Sequence, residues 1–214
     1  MIMLVLGRRE LGKTTLARYL AHARSSRLIL DPRAQWIASD PYEHIDGDAD
    51  AILSDLADER DVVIQPDDLQ ATVDQAAGLV RAFYRERPMA PLAVVLDEAG
   101  LYNVRRWDWV FRCSPRGRTS IILTAHRPAD ISTDVRALAD TWCLFRSTQE
   151  HDLAVIEERC GEEVRRLVEA LPPFHFVEWD DARATYRVFR DPAAWFSPSA
   201  APLVGETPRS TRLF

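Results

Sequence analysis

Cysteine, long apolar runs and lysine are all scarce in this sequence of 214 residues. The three cysteines, Cys113, Cys143 and Cys160, are odd in number and lack metal-binding spacing, so we expect reduced thiols in a cytosolic setting and no disulfide framework. No apolar run approaches the roughly 18 residues of a membrane-spanning helix, so no transmembrane segment is expected. The formal net charge of -6 argues against a surface coated for nucleic acid, although it is compatible with a local basic patch.

The shortage of lysine has one exception, Lys13, which stands against 26 arginines. Lys13 lies in the segment GRRELGKTT, residues 7–15, which fits the phosphate-binding pattern G-x-x-x-x-G-K-[ST] with Gly7, Gly12 and Thr14. The apolar run MIMLVL precedes this segment, and the helical stretch LARYLAHA follows it. The pattern therefore occupies a strand-to-helix loop, which is the context in which it binds phosphates.

The residue types of this loop suit a nucleoside triphosphate. Glycine allows the backbone to come close, and backbone N–H groups at a helix N-terminus point their dipoles at the phosphates. A compact, flexible ammonium at Lys13 can reach the β- and γ-phosphates, and the Thr14 hydroxyl can bind Mg²⁺. We therefore predict ATP and Mg²⁺ as cofactors and a nucleotide-binding loop formed by Gly7, Arg8, Arg9, Glu10, Leu11, Gly12, Lys13, Thr14 and Thr15. The alternative is a chance match in a glycine-containing turn.

Strands and helices alternate along most of the chain. Apolar segments predict strands at residues 1–6, 27–30, 61–65, 92–96, 119–125 and 141–145. Amphipathic segments predict helices after the phosphate loop and at residues 48–58, 68–87, 132–139, 150–159 and 162–171. The pattern predicts an α/β fold with a mainly parallel central sheet, helices on both faces and a C-terminal antiparallel hairpin at residues 174–179 and 184–189. Residues 191–214, rich in proline, serine and alanine, are expected to form an irregular tail.

An acidic pair follows the most apolar predicted strand, residues 92–96. Ligands in parallel sheets bind at the carboxyl ends of the strands, so this pair should lie beside the phosphate loop. We predict that Asp97 holds Mg²⁺ opposite Thr14 and that Glu98 orients and polarises the attacking water. The alternative is that both acids merely cap the next helix.

Polar residues also end two other predicted strands at the same edge. Thr124 or His126 would lie near the γ-phosphate and could sense it by a hydrogen bond, and we favour His126. The alternative is a histidine satisfied by local backbone groups. Asp31 follows the strand at residues 27–30 and should share this edge.

Arginines between the acidic pair and the next strand are candidates for stabilising charge on the γ-phosphate. Arg112, Arg116 and Arg118 lie in a segment that should reach the rim of the domain. We favour Arg118, then Arg116, as a finger supplied to an adjacent subunit, and a solvated surface role is the alternative. The nearby segment RRWDW, residues 105–109, combines cations with aromatic rings, which is typical of nucleic-acid contacts and equally of helix packing.

Five motifs in this order resemble the HerA and FtsK superfamily of P-loop ATPases: GRRELGKTT, LILDPRAQW, PLAVVLDEAG, GRTSIILTAHRPADIS and RLVEALPPFHFVEWD. The resemblance covers residues 1–180, and in particular the chain is similar to the compact genome-packaging ATPases of tailless, membrane-containing icosahedral viruses. It implies a RecA-like P-loop fold of the additional-strand, catalytic-glutamate type, with residues 1–190 as the motor domain. Two departures stand out: Glu10 replaces a frequent glycine, and His126 replaces a polar sensor that is often glutamine.

The resemblance also implies an activity and partners. The implied activity is ATP hydrolysis to ADP and phosphate. The implied partner is double-stranded DNA, which hydrolysis would translocate without sequence specificity. The implied role is that of the motor that packages viral DNA into a preformed capsid. The expected assembly is a homo-oligomeric ring, a pentamer or hexamer, that contacts capsid vertex or portal proteins in the host cytoplasm or at the packaging vertex of the virion. Catalytic roles fall on Lys13, Glu98 and His126, with Arg116 and Arg118 in the region of the trans-acting arginine. The alternatives are another HerA/FtsK-type ATPase, in DNA pumping or phage assembly, and a small-molecule kinase, against which the acidic pair argues.

Overall fold

Strands and helices alternate through most of the chain. The structure is a computed structural model that describes residues 1–36, 48–65, 68–103, 107–115 and 117–189, together with the backbone of residues 203–206. The strands are β1 (Ile2–Leu6), β2 (Ser26–Leu30), β3 (Asp61–Ile64), β4 (Leu92–Leu96), β5 (Thr119–Ala125), β6 (Thr141–Phe145), β7 (Phe176–Asp180), β8 (Thr185–Phe189) and β9 (Leu203–Glu206). The helices are α1 (Lys13–Ala21), α2 (Ala49–Ala57), α3 (Leu69–Glu86), α4 (Asp108–Cys113), α5 (Thr133–Leu138), α6 (Glu150–Cys160) and α7 (Glu162–Ala170).

One sheet joins these strands in the order β3-β2-β4-β5-β1-β6-β7-β8-β9. In this sheet order, the first six strands, from β3 through β1 to β6, run parallel to their neighbours. The remaining pairs, from β6 to β9, are antiparallel. The prediction of a mainly parallel sheet with a C-terminal antiparallel hairpin is confirmed. β5 lies between β1 and β4, so one strand separates the strand before the phosphate loop from the strand that ends in the acidic pair.

The sheet separates two hydrophobic cores. Side chains alternate along β1, so that Leu4 packs in one core while Met3 and Val5 pack in the other. Helices α2, α3, α6 and α7 contribute their buried residues to the first core, and α1 contributes Leu16 and Ala17 to the second. Helices therefore cover both faces, as predicted, and the apolar strands between them are buried throughout β1, β4 and β5.

The long helix α3 shows how local sequence sets an element. The Asp68 carboxylate accepts hydrogen bonds from the N–H groups of Gln70 at 3.0 Å and Ala71 at 3.1 Å, and so caps the helix. The sequence offers Asp67 as well as Asp68 as the cap of this helix, and Asp67 lies outside the described residues. Although α3 spans 18 residues, neither it nor any other helix in the described part of the chain is long and apolar enough to cross a membrane.

Three elements differ from the predictions. The hairpin begins at Phe176 and not at residue 174, because Phe174 has a φ of 65°, in the left-handed region that strands do not use. Helix α4 was not predicted, since its sequence lacks a clear amphipathic period. Residues 203–206 of the expected irregular tail form β9, which pairs with β8, and the rest of the tail lies outside the described residues.

Candidate nucleotide-binding site

The loop between β1 and α1 turns on two glycines. Gly12 caps α1 with a φ of 98°, in the left-handed region that glycine adopts without strain. Gly7 lies against β6, where a Cβ added to it would come within 2.5 Å of the Phe145 Cβ. The Gly7 N–H also donates to the Ala125 carbonyl at 3.2 Å, which ties the start of the loop to β5.

A cavity of about 390 Å³ lies beside this loop at the carboxyl edge of the sheet. The first turn of α1 forms one wall, so a helix N-terminus, which favours anions, borders the cavity. Its volume falls in the range of small-molecule sites, roughly 300–1,000 Å³. The lining residues are Arg9, Glu10, Gly12, Lys13, Thr14, Thr15, Arg33, Gln35, Glu98 and Phe174.

Lys13 is held within this cavity by two contacts. Its Nζ donates to the Arg8 carbonyl at 3.0 Å and lies 3.3 Å from His126 Nδ1. Burial lowers the pKa of the Lys13 ammonium, and the negative charges of Glu98 and Asp97 oppose that shift. The ammonium is therefore largely stripped of water, which strengthens its attraction for an anionic group in the cavity.

The side-chain oxygen atoms of Thr14 and Asp97 lie close together. The Thr14 Oγ1 lies 3.3 Å from Asp97 Oδ2, and the Asp97 carboxylate also accepts hydrogen bonds from the Thr124 hydroxyl and from the indole N–H of Trp36. Burial raises the pKa of Asp97, while the bonds from Thr124 and Trp36 lower it. A hydroxyl and a carboxylate fit Mg²⁺, which in nucleotide sites uses one or two carboxylates and takes its remaining ligands from phosphates and water.

Glu98 is fixed by its backbone and by its side chain. It has a left-handed φ of 54°, and its N–H donates to Thr124 Oγ1 at 2.9 Å. Its carboxylate lies 3.0 Å from His126 Nε2 and 3.8 Å from Arg33 Nε. A strained backbone held by hydrogen bonds is common at functional sites, because it aims a side chain that would otherwise turn away.

His126 links Lys13 to Glu98. Burial and the positive charge of Lys13 lower the pKa of His126, so its ring is neutral near pH 7. A neutral ring can donate from only one nitrogen, and the 3.0 Å contact of Nε2 with Glu98 is shorter than its 3.5 Å contact with Arg9 Nε. Nε2 therefore carries the proton and donates to Glu98, while Nδ1 accepts from Lys13.

The segment DPRAQW, residues 31–36, wraps around the acidic pair. Buried Asp31 accepts hydrogen bonds from the N–H groups of Trp36 at 2.7 Å and Arg33 at 3.3 Å, which folds the segment into a tight turn. The turn places Gln35 Oε1 2.9 Å from the Thr14 hydroxyl, beside the Trp36 indole that holds Asp97. Sequence reasoning did not assign a role to Gln35 or Trp36, although the position of their segment at a strand's carboxyl end was a usable signal.

The predicted loop residues outside these contacts lie at the rim. Arg8, Arg9, Glu10 and Thr15 are exposed, Leu11 is half-buried, and Glu10 has a left-handed φ of 62°. Arg9 and Glu10 nevertheless line the cavity together with Thr15. Glu10, which replaces a frequent glycine, is therefore an exposed acid that also lines the cavity.

Arg118 lies at the opposite edge of the sheet from the cavity. It is exposed and directly precedes β5, and its carbonyl accepts from the N–H of Leu92 at 3.0 Å at the start of β4. His126 follows the other end of β5, eight residues away, so about 26 Å separates the two positions. Arg118 therefore cannot act on the site of its own chain. Arg116 lies outside the described residues, and Arg112 pairs with Asp108 at 2.6 Å.

The aromatic residues of the RRWDW segment have packing contacts. Trp107 is fully buried, and its indole N–H donates to the Val73 carbonyl of α3 at 2.8 Å. The Trp109 ring lies under the Arg81 guanidinium, 5.1 Å from it, which is an intramolecular cation–π contact. Arg105 and Arg106 lie outside the described residues. The packing alternative therefore describes both tryptophans.

No protein-family model matches the chain, and no curated protein matches it at a significant level. Solved structures do match. The genome packaging NTPase B204 from Sulfolobus turreted icosahedral virus 2, in complex with ATP-gammaS, has a TM-score of 0.70 and 18% sequence identity, over 87% of this chain and 95% of that chain. The same protein in complex with AMPPCP has a TM-score of 0.69 and 20% identity, with the same coverage.

A further structure, of B204, the DNA-packaging ATPase from Sulfolobus Turreted Icosahedral Virus, has a TM-score of 0.68 and 17% identity, over 87% of this chain and 95% of that chain. At these identities the comparison is one of fold. Because the matches span nearly the whole of the B204 chains, the likeness is to the complete fold and not to a shared phosphate-loop core. The chain therefore has the fold of viral genome packaging NTPases, as the sequence resemblance implied.

Proposed function

We propose that this chain is an ATPase whose active site is the cavity beside the β1–α1 loop. The observation that carries the proposal is that Lys13, Thr14 and Glu98 all line that cavity, while the Asp97 carboxylate lies 3.3 Å from the Thr14 hydroxyl. Arg8 to Gly12 supply backbone N–H groups at a helix N-terminus, and Lys13 supplies a positive charge for the β- and γ-phosphates. Two analogue-bound neighbours of the same fold support a nucleotide as the ligand.

The proposed reaction needs an activated water and stabilisation of the charge on the γ-phosphate. Glu98 is placed to accept a proton from water, and its hydrogen bond from His126 Nε2 at 3.0 Å sets the direction of its carboxylate. Mg²⁺, held by Thr14 and Asp97, would neutralise the phosphate oxygens. Lys13 lies 3.3 Å from the same histidine, so His126 is positioned to register a change at either group.

We further propose that hydrolysis drives double-stranded DNA through a homo-oligomeric ring during genome packaging. B204 is described as a DNA-packaging ATPase, and this chain covers 95% of its length. The position of Arg118, roughly 26 Å from its own site, suits a residue that completes the site of a neighbouring subunit. Capsid vertex or portal proteins are the proposed partners of the ring, and the host cytoplasm or the packaging vertex is its proposed place.

The test is ATP turnover measured with and without double-stranded DNA at two salt concentrations, alongside particle size. We expect turnover that DNA stimulates and that salt weakens, since binding to phosphates releases counterions. Glu98→Gln should keep nucleotide affinity and lose turnover about 100-fold or more, whereas lost affinity would make Glu98 a structural residue. Turnover stimulated by a small acceptor, with phosphate transferred to it and no response to DNA, would instead identify a kinase.

A further inference from the structure

An exposed aromatic ring lines the same cavity as the phosphate loop. Phe174 is 49% exposed, and it shares the cavity wall with Arg9, Glu10 and Thr15. Most large apolar side chains of the described residues are buried in the two cores, whereas the Phe174 ring is exposed and lines a largely polar cavity. The predicted site residues do not include it.

The backbone at Phe174 is strained to hold the ring there. Its φ of 65° lies in the left-handed region, which costs a residue with a Cβ and is rare for an aromatic side chain. The residues on either side restrict the loop: the His175 N–H donates to the Pro172 carbonyl at 3.3 Å, and His175 Nδ1 lies 2.9 Å from the Pro173 carbonyl. Such strain persists where the surroundings fix it, and it concentrates at ligand sites.

The sheet topology fixes this loop beside the nucleotide site. β7 is antiparallel to β6, so the loop before Phe176 lies at the carboxyl edge of β6, where the phosphate loop begins. Phe176 pairs with Phe145 across the strands, with ring centroids 5.5 Å apart, and Phe145 is the residue against which Gly7 packs. Phe145 of β6 therefore contacts both the start of the phosphate loop, at Gly7, and the strand that follows the Phe174 loop, at Phe176.

We propose that Phe174 is the base-stacking residue of the nucleotide site, and this inference rests on the proposed function. Phe174 is the one aromatic ring among the ten described residues that line the cavity, and the other nine are polar, charged or glycine. A purine ring that follows the α-phosphate outward would meet a flat apolar face. Stacking tolerates any base, so the site accepts ATP and GTP alike on this contact.

The test compares a ligand that has a base with one that lacks it. The affinities of full-length wild-type, Phe174→Ala, Phe174→Tyr and Phe174→Gly proteins for ATP, supplied as the slowly hydrolysed ATPγS, and for tripolyphosphate are measured by calorimetry with Mg²⁺. We expect Phe174→Ala to weaken ATP binding about 5- to 150-fold, the range for one lost base–aromatic stack, and to leave tripolyphosphate binding unchanged. Phe174→Tyr should keep ATP affinity, and Phe174→Gly, which relieves the strained φ, should lose it as alanine does. Met89→Ala, which removes a 65% exposed apolar side chain just before β4, is the control.

If Phe174→Ala and Phe174→Gly weakened the affinities for ATP and for tripolyphosphate equally, the stacking role would be overturned. Such a result would show that the substitutions alter the loop and, through it, the whole site. Unchanged ATP affinity in both variants would overturn it as well. The Lys13→Ala variant distinguishes a failure of the stacking role from a failure of the proposed function. If wild-type protein binds both ligands and Lys13→Ala abolishes both, the phosphate site stands whatever Phe174 does. If wild-type protein binds neither ligand, the proposed function and the stacking role both fail.

Discussion

Replacing Trp36 by phenylalanine should weaken metal binding at the candidate site about 10- to 100-fold. The Trp36 indole N–H donates to Asp97 Oδ2 at 3.0 Å, and Asp97 is only 2% exposed, so water cannot readily replace the lost donor. A hydrogen bond to a charged group contributes about 1.5–3 kcal/mol, and each 1.4 kcal/mol is a factor of ten. Removing a residue that hydrogen-bonds to a metal ligand generally weakens metal affinity by a similar factor, about 10- to 100-fold.

The assay is Mn²⁺ binding followed by electron paramagnetic resonance, with a slowly hydrolysed ATP analogue present. Trp142→Phe is the matched control, because Trp142 is 1% exposed and its buried indole N–H has no hydrogen-bond partner in the described part of the chain. Both variants lose the same ring volume, but only Trp36→Phe removes a bond to Asp97. Equal Mn²⁺ affinity in the two variants would refute the role assigned to Trp36.

The effect of Trp36→Phe should also depend on pH. The Trp36 hydrogen bond lowers the pKa of Asp97, in opposition to burial, so its removal raises that pKa further. Protons then compete with the metal at higher pH in the variant than in the wild type. The difference in Mn²⁺ affinity between the two proteins should therefore widen as the pH falls, and a constant difference would contradict this explanation.

Three further predictions concern stability and assembly. Burial lowers the pKa of the Lys13 ammonium in the folded protein below its ordinary value of 10.5, so the charged group destabilises the fold at pH values below that lowered pKa. Lys13→Met should therefore raise the Tm at pH 7, although it abolishes hydrolysis. The gain in Tm should shrink as the pH approaches 10.5, where the ammonium is also deprotonated in the unfolded chain. A Tm gain that is independent of pH would count against this. Gly7→Ala should lower the free energy of unfolding, measured by chemical denaturation, by about 1–3 kcal/mol, because the added Cβ would come within 2.5 Å of Phe145. Gly78→Ala in α3 is the control, and it should be neutral or stabilising because its added Cβ meets nothing within 4 Å. If Arg118 acts in trans, mixing Arg118→Ala with Lys13→Ala subunits should restore part of the ATP turnover, and an absence of rescue would speak against it.

The sequence predicts the centre of the site because its signals are local. Lys13 and Thr14 follow Gly12 in one continuous pattern, and Asp97 and Glu98 end a strand that is apolar at every position. Parallel strands end at one edge, so their convergence follows from the fold class alone. The same argument places His126, although its contacts with Lys13 and Glu98 could only be seen in three dimensions.

The rest of the site depends on contacts that no sequence pattern marks. Trp36 reaches Asp97, which is 61 residues away in the sequence, only because the Asp31 side chain folds residues 31–36 into a turn. Phe174 is part of an alternating pattern that predicts a strand, and the rigid Pro172–Pro173 pair with the contacts of His175 produces a strained loop there instead. Hydrogen bonds within each loop decide both cases, and they override the preference that the residue pattern indicates.

A crystal structure of the full-length chain with ATPγS and Mg²⁺ tests the central claim most directly. We predict the γ-phosphate within hydrogen-bonding distance of Lys13 Nζ, and the metal between the Thr14 hydroxyl and the Asp97 carboxylate. Nucleotide density at any other cavity, with the space beside Lys13 and Asp97 filled by water, would contradict it.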